Sequence, residues 1–458
     1  MIEMQSLSSQ TGKTKFSLLI DASKTLSYKE LLNLSCRFAV FDIKTLSASL
    51  YGQFKEVFVI KAQAVTESQV DEIISLVDFI PGATTSQMMV ALGTIAKKNA
   101  LGGIVALIGF AGPGAVLLAI LGFIYSKYPD PKDLNILIFL AIQGIKASTV
   151  ALILQLMIQM AMQSIKSRIH MSLSVLSAVL LVAYQQSYVL ILTMMMGGIL
   201  TIMLEYDAEN TIGRSTFIKE QTVTPVITTD PKLINIKNSH KISQLLGNKS
   251  FYLYIIFLIA LLYFNSAYKS MILDISLSFY NIGTFMIGGT PITLPFMYAE
   301  TVLNPLYINE DAFWLGFGLA AALPGPYLNF AIFLGTHSMG FSGGVCCWMA
   351  IFVPSILQIW GLLPHWANFK TNVYMTRFKE GVISVAIGFL ATTVYYSWVD
   401  ACKYDMSTAT VITFLSLIYV SLLNFNSPAV ISLGAALFIT RYLALWYYRE
   451  LDPSIFQV

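Results

Sequence analysis

Two short stretches of this chain carry the residue types from which an anion site can be built. The first reads Phe79-Ile80-Pro81-Gly82-Ala83-Thr84-Thr85-Ser86-Gln87 and leads to Gly93. The second reads Ala322-Leu323-Pro324-Gly325-Pro326-Tyr327-Leu328-Asn329 and leads to Gly335. A break that starts a new helix leaves backbone N–H groups without partners, together with about half a positive charge. Proline in the first turn gives up no hydrogen bond there, and glycine lets the backbone approach a ligand closely. Thr84, Thr85, Ser86 and Gln87 add four donating side chains after the first break, whereas only Tyr327 and Asn329 follow the second. The first break is therefore expected to be the richer site. The alternative is that both breaks only allow close helix packing, with Ser and Thr re-bonding the backbone.

Other residues compete for a role. Lys146 lies near the middle of the apolar run 134–163. A cation there can neutralise an anion in transit, snorkel to an interface, or pair with a carboxylate. Glu56 and Glu300 stand at matched distances before the two breaks; they are candidates for a coupled proton if buried, or they face water at a membrane edge. Gly288-Gly289-Thr290-Pro291-Ile292-Thr293 is a second possible lining or a simple helix contact face. Met194-Met195-Met196 splays around a helix and cannot converge on one ion, so it reads as apolar filling. The four cysteines and four histidines show no metal spacing; Cys36, Cys346 and Cys347 read as small buried hydrophobes. No HExxH, P-loop, GxSxG or dinucleotide fingerprint is present, so neither enzyme chemistry nor a cofactor is expected.

The elements that must position these residues are membrane helices. Of 458 residues, 56% are hydrophobic and only 12% charged, against about 25% charged in soluble domains. Mean hydropathy is +0.68. Runs such as 134–163, 251–267 and 408–424 approach or exceed bilayer-spanning length. The net charge of +3 gives no reason to expect a nucleic-acid partner. Membrane lipid is the first expected partner, and the polar segment from Met1 to Glu30 lacks the apolar core of a cleaved signal. A Pro-Gly break in lipid is costly, because nothing there satisfies the freed backbone groups. Paired interruptions in the two halves of a membrane chain therefore point to the solute site of a transporter.

The pairing extends beyond the breaks. Gly103 precedes Pro113 by ten residues and Gly344 precedes Pro354 by ten. Gln143-Gly144-Ile145-Lys146 is echoed more weakly by Lys379-Glu380-Gly381-Val382. The chain divides into a polar segment 1–30, a first repeat 31–204, a polar linker 205–250, an unpaired span 251–267, a second repeat 274–447 and a tail 448–458. Lys13, Lys15, Lys24 and Lys29, and in the linker Arg214, Lys219, Lys232, Lys237, Lys241 and Lys249, place both polar segments in the cytoplasm. The first repeat then crosses an even number of times, and the unpaired span turns the second repeat over. The expected fold is an all-α integral membrane protein of two inverted repeats, with Pro/Gly-broken helices near the membrane midplane. The stretch 99–126, split by Gly112-Pro113-Gly114, reads either as a dipping hairpin or as one kinked span.

With these motifs in order, the chain resembles the chromate ion transporter family over most of its length. Phe285-Met286-Ile287-Gly288-Gly289-Thr290-Pro291 is similar to the family's Phe-Gly-Gly element. Glu300-Thr301-Val302, Leu323-Pro324-Gly325-Pro326, Phe330-Ala331, Gly335 and Phe352-Val353-Pro354 follow in sequence. The first half departs, with Phe41-Asp42-Ile43-Lys44 where Phe-Gly-Gly-Pro is expected and Ala83 in place of a second proline. The resemblance implies a secondary carrier of chromate, with sulfate or another oxyanion as its everyday substrate. The departures keep open a carrier for a different small solute or organic anion, or a non-transporting scaffold of the same fold. A coupled proton, a homo-oligomer and residence in the plasma membrane are further expectations.

Overall fold

A computed structural model describes residues 26–42, 50–77, 80–128, 134–184, 186–211, 240–268, 270–286, 290–303, 307–363 and 373–451. Among them all regular structure is helical. The first repeat comprises α1 (Tyr28–Asp42), α2 (Leu50–Phe54), a π-helical turn (Lys55–Lys61), α3 (Glu67–Val77), α4 (Thr84–Lys97) and α5 (Ala100–Tyr125). It ends with α6 (Ile136–Ser164), α7 (Arg168–Ala183) and α8 (Ser187–Thr211). After α9 (His240–Tyr268), the second repeat runs through α10 (Met271–Phe285), α11 (Thr290–Tyr298), a π-helical turn (Ala299–Leu303) and α12 (Glu310–Ala322). It closes with α13 (Phe330–Leu362), α14 (Val373–Ala401), α15 (Met406–Ser421) and α16 (Ser427–Leu451). The two π turns fall on Glu56 and Glu300, so the sequence match is also a match of backbone form. Several starts are set by side-chain caps: Asn99, Asn135, Ser167, Asn309 and Asp405 each accept an orphan N–H of the helix that follows.

Each repeat contains a glycine-faced hairpin. In the first, Lys98 takes a left-handed conformation (φ 55°) and turns α4 back along α5. A Cβ on Gly93 would stand 2.5 Å from the Gly102 carbonyl, so the two backbones touch there. In the second, Gly340 (φ 74°, ψ −172°) divides α13 into an arm 330–339 and an arm 341–362. A Cβ on Gly335 would stand 2.6 Å from the Gly343 carbonyl, repeating the contact. The apolar stretch 327–362 is thus a folded hairpin, although its length and composition suit a single crossing. Conversely, α5 passes through Pro113 without a break; its 26 residues extend about 39 Å. The dipping-hairpin reading of 99–126 is corrected by this. The fold-back lies at Lys98-Asn99 instead, because a left-handed residue reverses the chain where an internal proline only bends it.

The repeats interlock and run in opposite directions. Gly144 of α6 and Gly381 of α14 are equivalent, and each packs on the other repeat: Gly144 against Gly434 of α16, Gly381 against Gly197 of α8. Lys146, in the first half of α6, pairs with Asp400 at the end of α14. Lys166, just past α6, pairs with Glu380 near the start of α14. Equivalent helices therefore lie antiparallel, as inverted repeats require. By length and composition six helical stretches among the described residues are long and apolar enough to cross a membrane, the folded stretch 327–362 being one of them, and the protein is multi-pass.

The unpaired span 251–267 lies inside α9, which is covered mainly by α10 and α13 and turns Phe251, Tyr252, Ile256 and Tyr263 outward. Helix α8 runs to Thr211 and α9 begins at His240, so both edges of the linker are helical; 212–239, 1–25 and 452–458 lie outside the described residues. Of the cysteines read as buried, Cys347 is buried, Cys36 is half-buried and Cys346 is exposed. Met194 is buried while Met195 and Met196 face outward.

Candidate functional site

The first break is held by the second repeat. Gly82 takes φ 135°, a region open to glycine, and donates its N–H to the carbonyl of Met286 just past α10. The Ala83 N–H donates to Ser355 Oγ at 3.2 Å, and Ser355 follows Pro354 in the long arm of α13. Gln87 reaches back to donate its amide to the Pro81 carbonyl at 2.8 Å. Helix α4 starts at Thr84 with Ala83 as its N-cap, which brings no capping side chain. The N–H groups of Thr84, Thr85 and Ser86 are the ones a helix leaves without internal partners. Ser86 is only 2% exposed, and its hydroxyl has no hydrogen-bond partner among the described residues. Thr84 and Thr85 are half-buried beside it. Helix α3 has 11 residues and α4 has 14, about 16 and 21 Å, so the break falls between two half-spans.

The second break mirrors this placement with different chemistry. Gly325 takes φ 103°, and the Pro324 carbonyl lies against Gly114, one residue past Pro113 in α5. Each break thus leans on the proline-bearing helix of the opposite repeat. Asn329, 1% exposed, donates to the Ala111 carbonyl at 2.8 Å and accepts from Trp348 Nε1 at 2.9 Å. Tyr327 stacks on Phe317 with ring centres 5.7 Å apart. A short 3-10 turn (Tyr327–Asn329) follows Pro326 in place of an immediate α-helical start. The polar groups after the second break are engaged by protein.

Lys146 belongs to neither break. Its ammonium, fully buried, lies 2.6 Å from Asp311 Oδ1 and 2.6 Å from Asp400 Oδ2. Of the three roles open to it, pairing with carboxylates is the one the geometry adopts. Sequence reasoning missed both aspartates. The available signal was Asp400 ending an apolar run and Asp311 in the capped first turn Asn309-Glu310-Asp311.

Glu56 pairs with Lys61 at 2.7 Å on a half-exposed side chain, so the burial required of a proton site is absent there. Glu300 is half-buried in the matching π turn. Gly288 and Gly289 lie outside the described residues, and Thr290 opens α11. No cluster able to hold a metal ion occurs among the described residues. An apolar groove of about 370 Å³ between α15 and α16, lined by Val411, Ile412, Leu437 and Arg441, shares no residue with either break.

The family model described as chromate transporter matches residues 48–202 and 273–439. A probable chromate transport protein of Synechococcus elongatus is 28% identical over 126 residues, which is 28% of this chain and 32% of that protein. An uncharacterized transporter of Methanocaldococcus jannaschii is 26% identical over 156 residues, 34% of this chain and 38% of its own length. A chromate transport protein of Pseudomonas aeruginosa is 20% identical over 338 residues, 74% of this chain and 73% of that one. The alignments to the first two span only 32% and 38% of those relatives. No solved structure matches.

Proposed function

The chain belongs to the chromate transporter family, and on that premise we propose that it is a secondary carrier of a small inorganic oxyanion, with chromate as one substrate and sulfate as another. The observation that carries this reading is the first break. A helix start with its first-turn N–H groups, a buried hydroxyl at Ser86 without a partner among the described residues, and two adjacent threonines converge there. A tetrahedral oxyanion accepts hydrogen bonds from several directions at once, and charge-assisted bonds of this kind are the strong ones. Thr84, Thr85 and Ser86 are its proposed ligands, with Pro81 and Gly82 shaping the approach and Gln87 holding the break closed behind them.

The architecture also supports movement. Rocking of one inverted repeat against the other gives alternating access in carriers of this kind. Here the bonds from Ala83 to Ser355 and from Asn329 to Ala111 join each break to the opposite repeat. A rocking motion changes both together. Relatives named chromate transport proteins support the choice of substrate.

The test is uptake by purified protein in sealed liposomes. Saturable uptake of labelled chromate, inhibited by excess unlabelled sulfate, is the expected result. Chromate uptake that sulfate leaves untouched would remove sulfate from the proposal. Uptake of both anions no faster than in protein-free liposomes, under several imposed gradients, would overturn the carrier reading.

A further inference from the structure

We propose that the cluster of Lys146, Asp311 and Asp400 is the proton-binding site that couples transport, an inference that rests on the carrier reading above. Lys146 is shared between two carboxylates; Lys403 stands 3.8 Å from Asp311 on a half-exposed side chain, so among the described residues Lys146 is the one cation paired with Asp400. Asp400 is 2% exposed, and its Oδ1 has no partner among the described residues. An unshared carboxylate oxygen buried at such a site is expensive, and taking a proton removes the cost. The step is simple in its balance: a proton from water adds to the Asp400 carboxylate to give a neutral carboxyl group, and it later returns to water. A metal cation does not fit the same place, because the Lys146 ammonium already stands within 2.6 Å of both carboxylates.

Helices α11, α12 and α14 contribute charged or titratable neighbours, whereas α15 and α16, which also pack on α6, set Ser416 and Gly434 against it. Helix α12 supplies Asp311 and Glu310, and Glu310 accepts a hydrogen bond from Tyr298 of α11. Helix α14 supplies Asp400 and Tyr396, the latter stacked on Tyr298 with ring centres 5.3 Å apart. Just past α14, Lys403 lies 3.8 Å from Asp311 Oδ2 and is half exposed, while Tyr404 offers its ring to Lys146 at 5.9 Å. Asp311 and Lys403 give the buried pair a short polar route outward. Gln143, one turn before Lys146 on α6, is a second buried side chain, with neither end of its amide partnered among the described residues.

The cluster joins both repeats, since Lys146 is on α6 and the two aspartates are on α12 and α14. Protonating Asp400 weakens its hold on Lys146, which keeps Asp311, and so loosens α14 from α6. Asp311 sits in the first turn of α12, and the second break begins where α12 ends, about 18 Å away along the helix. A change in the ion pairs therefore acts on the rod that carries the break.

The test uses the full chain in liposomes, with chromate and sulfate as probes and a trapped pH dye. Wild-type protein should move protons with the anion, and its apparent affinity for anion should change by up to tenfold per pH unit over the coupling range. Asp400→Asn should reduce that slope to less than twofold per pH unit and remove the dye response. If Asp400→Asn fails to fold, Asp311→Asn leaves Asp400 as the sole carboxylate on Lys146, which favours its ionised form, and should move the coupling range to lower pH while keeping the dye response. Infrared difference spectra of the wild-type protein give a third reading, in which a carboxyl band should appear as the pH falls through that range. Proton movement and pH slope unchanged in folded Asp400→Asn, a coupling range unmoved in Asp311→Asn, or no carboxyl band, would overturn the assignment. Wild-type anion uptake without proton movement would sink this inference and leave the carrier reading standing. Absence of any anion uptake would sink the carrier reading itself.

Discussion

Ser86 and Asn329 stand at the same position, five residues after the proline that opens each break, and they use their polar atoms in opposite ways. Asn329 engages both ends of its amide, one on Ala111 and one on Trp348. Ser86 keeps a buried hydroxyl without a partner among the described residues. The same contrast recurs on the long paired helices. Aligning Gly144 with Gly381 sets Lys146 of α6 against Ile383 of α14, so only one repeat carries the buried cation. The backbones of the two halves are matched: both have the π turn, the positive-φ glycine, the hairpin and the proline-bearing helix. The difference teaches that backbone geometry and side-chain chemistry answer to separate demands. Interlocking uses both breaks, whereas the proposed oxyanion site needs only one of them to stay chemically open.

The most drastic test of the comparison is topological. In a background lacking the native cysteines, single cysteines placed near Lys98 and near Ser338 sit at the tips of the two hairpins. They are expected to react with an impermeant reagent from opposite faces of the membrane, in an all-or-none pattern. Labelling of both from one face would make the repeats parallel.

Next in size is the asymmetry at Lys146. Lys146→Met strands Asp311 and Asp400 in the bundle, and removing one partner of a buried pair costs roughly 3–5 kcal/mol. Thermal stability and folded yield should fall before any kinetic parameter is read. The second-repeat counterpart Ile383→Met should change stability by less than about 1.5 kcal/mol, since it is a volume-conserving apolar swap. Equal losses in the two variants would mean that the ion pairs contribute little.

A third comparison sets the two breaks against each other. Replacing Thr84 and Thr85 together by Val keeps the branched shape and removes two hydroxyls. A hydrogen bond to a charged group is worth roughly 1.5–3 kcal/mol, so apparent anion affinity should fall at least about tenfold with stability near normal. Asn329→Leu should do the reverse. It leaves buried partners unsatisfied, lowering stability by about 1–3 kcal/mol while changing affinity far less. If affinity responds instead to Asn329, the second break holds the anion.

The smallest effect is expected at the joint between repeats. Ser355→Ala removes the acceptor of the Ala83 N–H, a loss of about 0.5–1.5 kcal/mol. It should appear as a modest drop in melting temperature, with faster hydrogen exchange confined to the first turn of α4.

Much of the scaffold was legible in the chain itself. Hydropathy and helix length depend on composition and on the bilayer thickness, so the all-α membrane class follows from 56% hydrophobic residues. The duplication was legible because Pro and Gly act through local backbone geometry, which is the same wherever the segment is placed. For that reason Pro81-Gly82 and Pro324-Gly325 mark breaks in the fold as they do in the sequence. The single glycine Gly340 was not read as a hairpin, since an apolar run of that length satisfies a crossing equally well. Only the positive φ at that residue decides between them.

What tertiary structure alone decided is which polar groups find each other. Lys146 and Asp400 are 254 positions apart, and Ala83 and Ser355 are 272 apart. Such pairs arise from the interlocking of two inverted repeats, and no local pattern announces them. The same holds for Asn329 and Ser86. Both read as donors in the sequence; the fold delivers Ala111 of the opposite repeat and Trp348 of its own to Asn329, and leaves the Ser86 hydroxyl without a partner among the described residues.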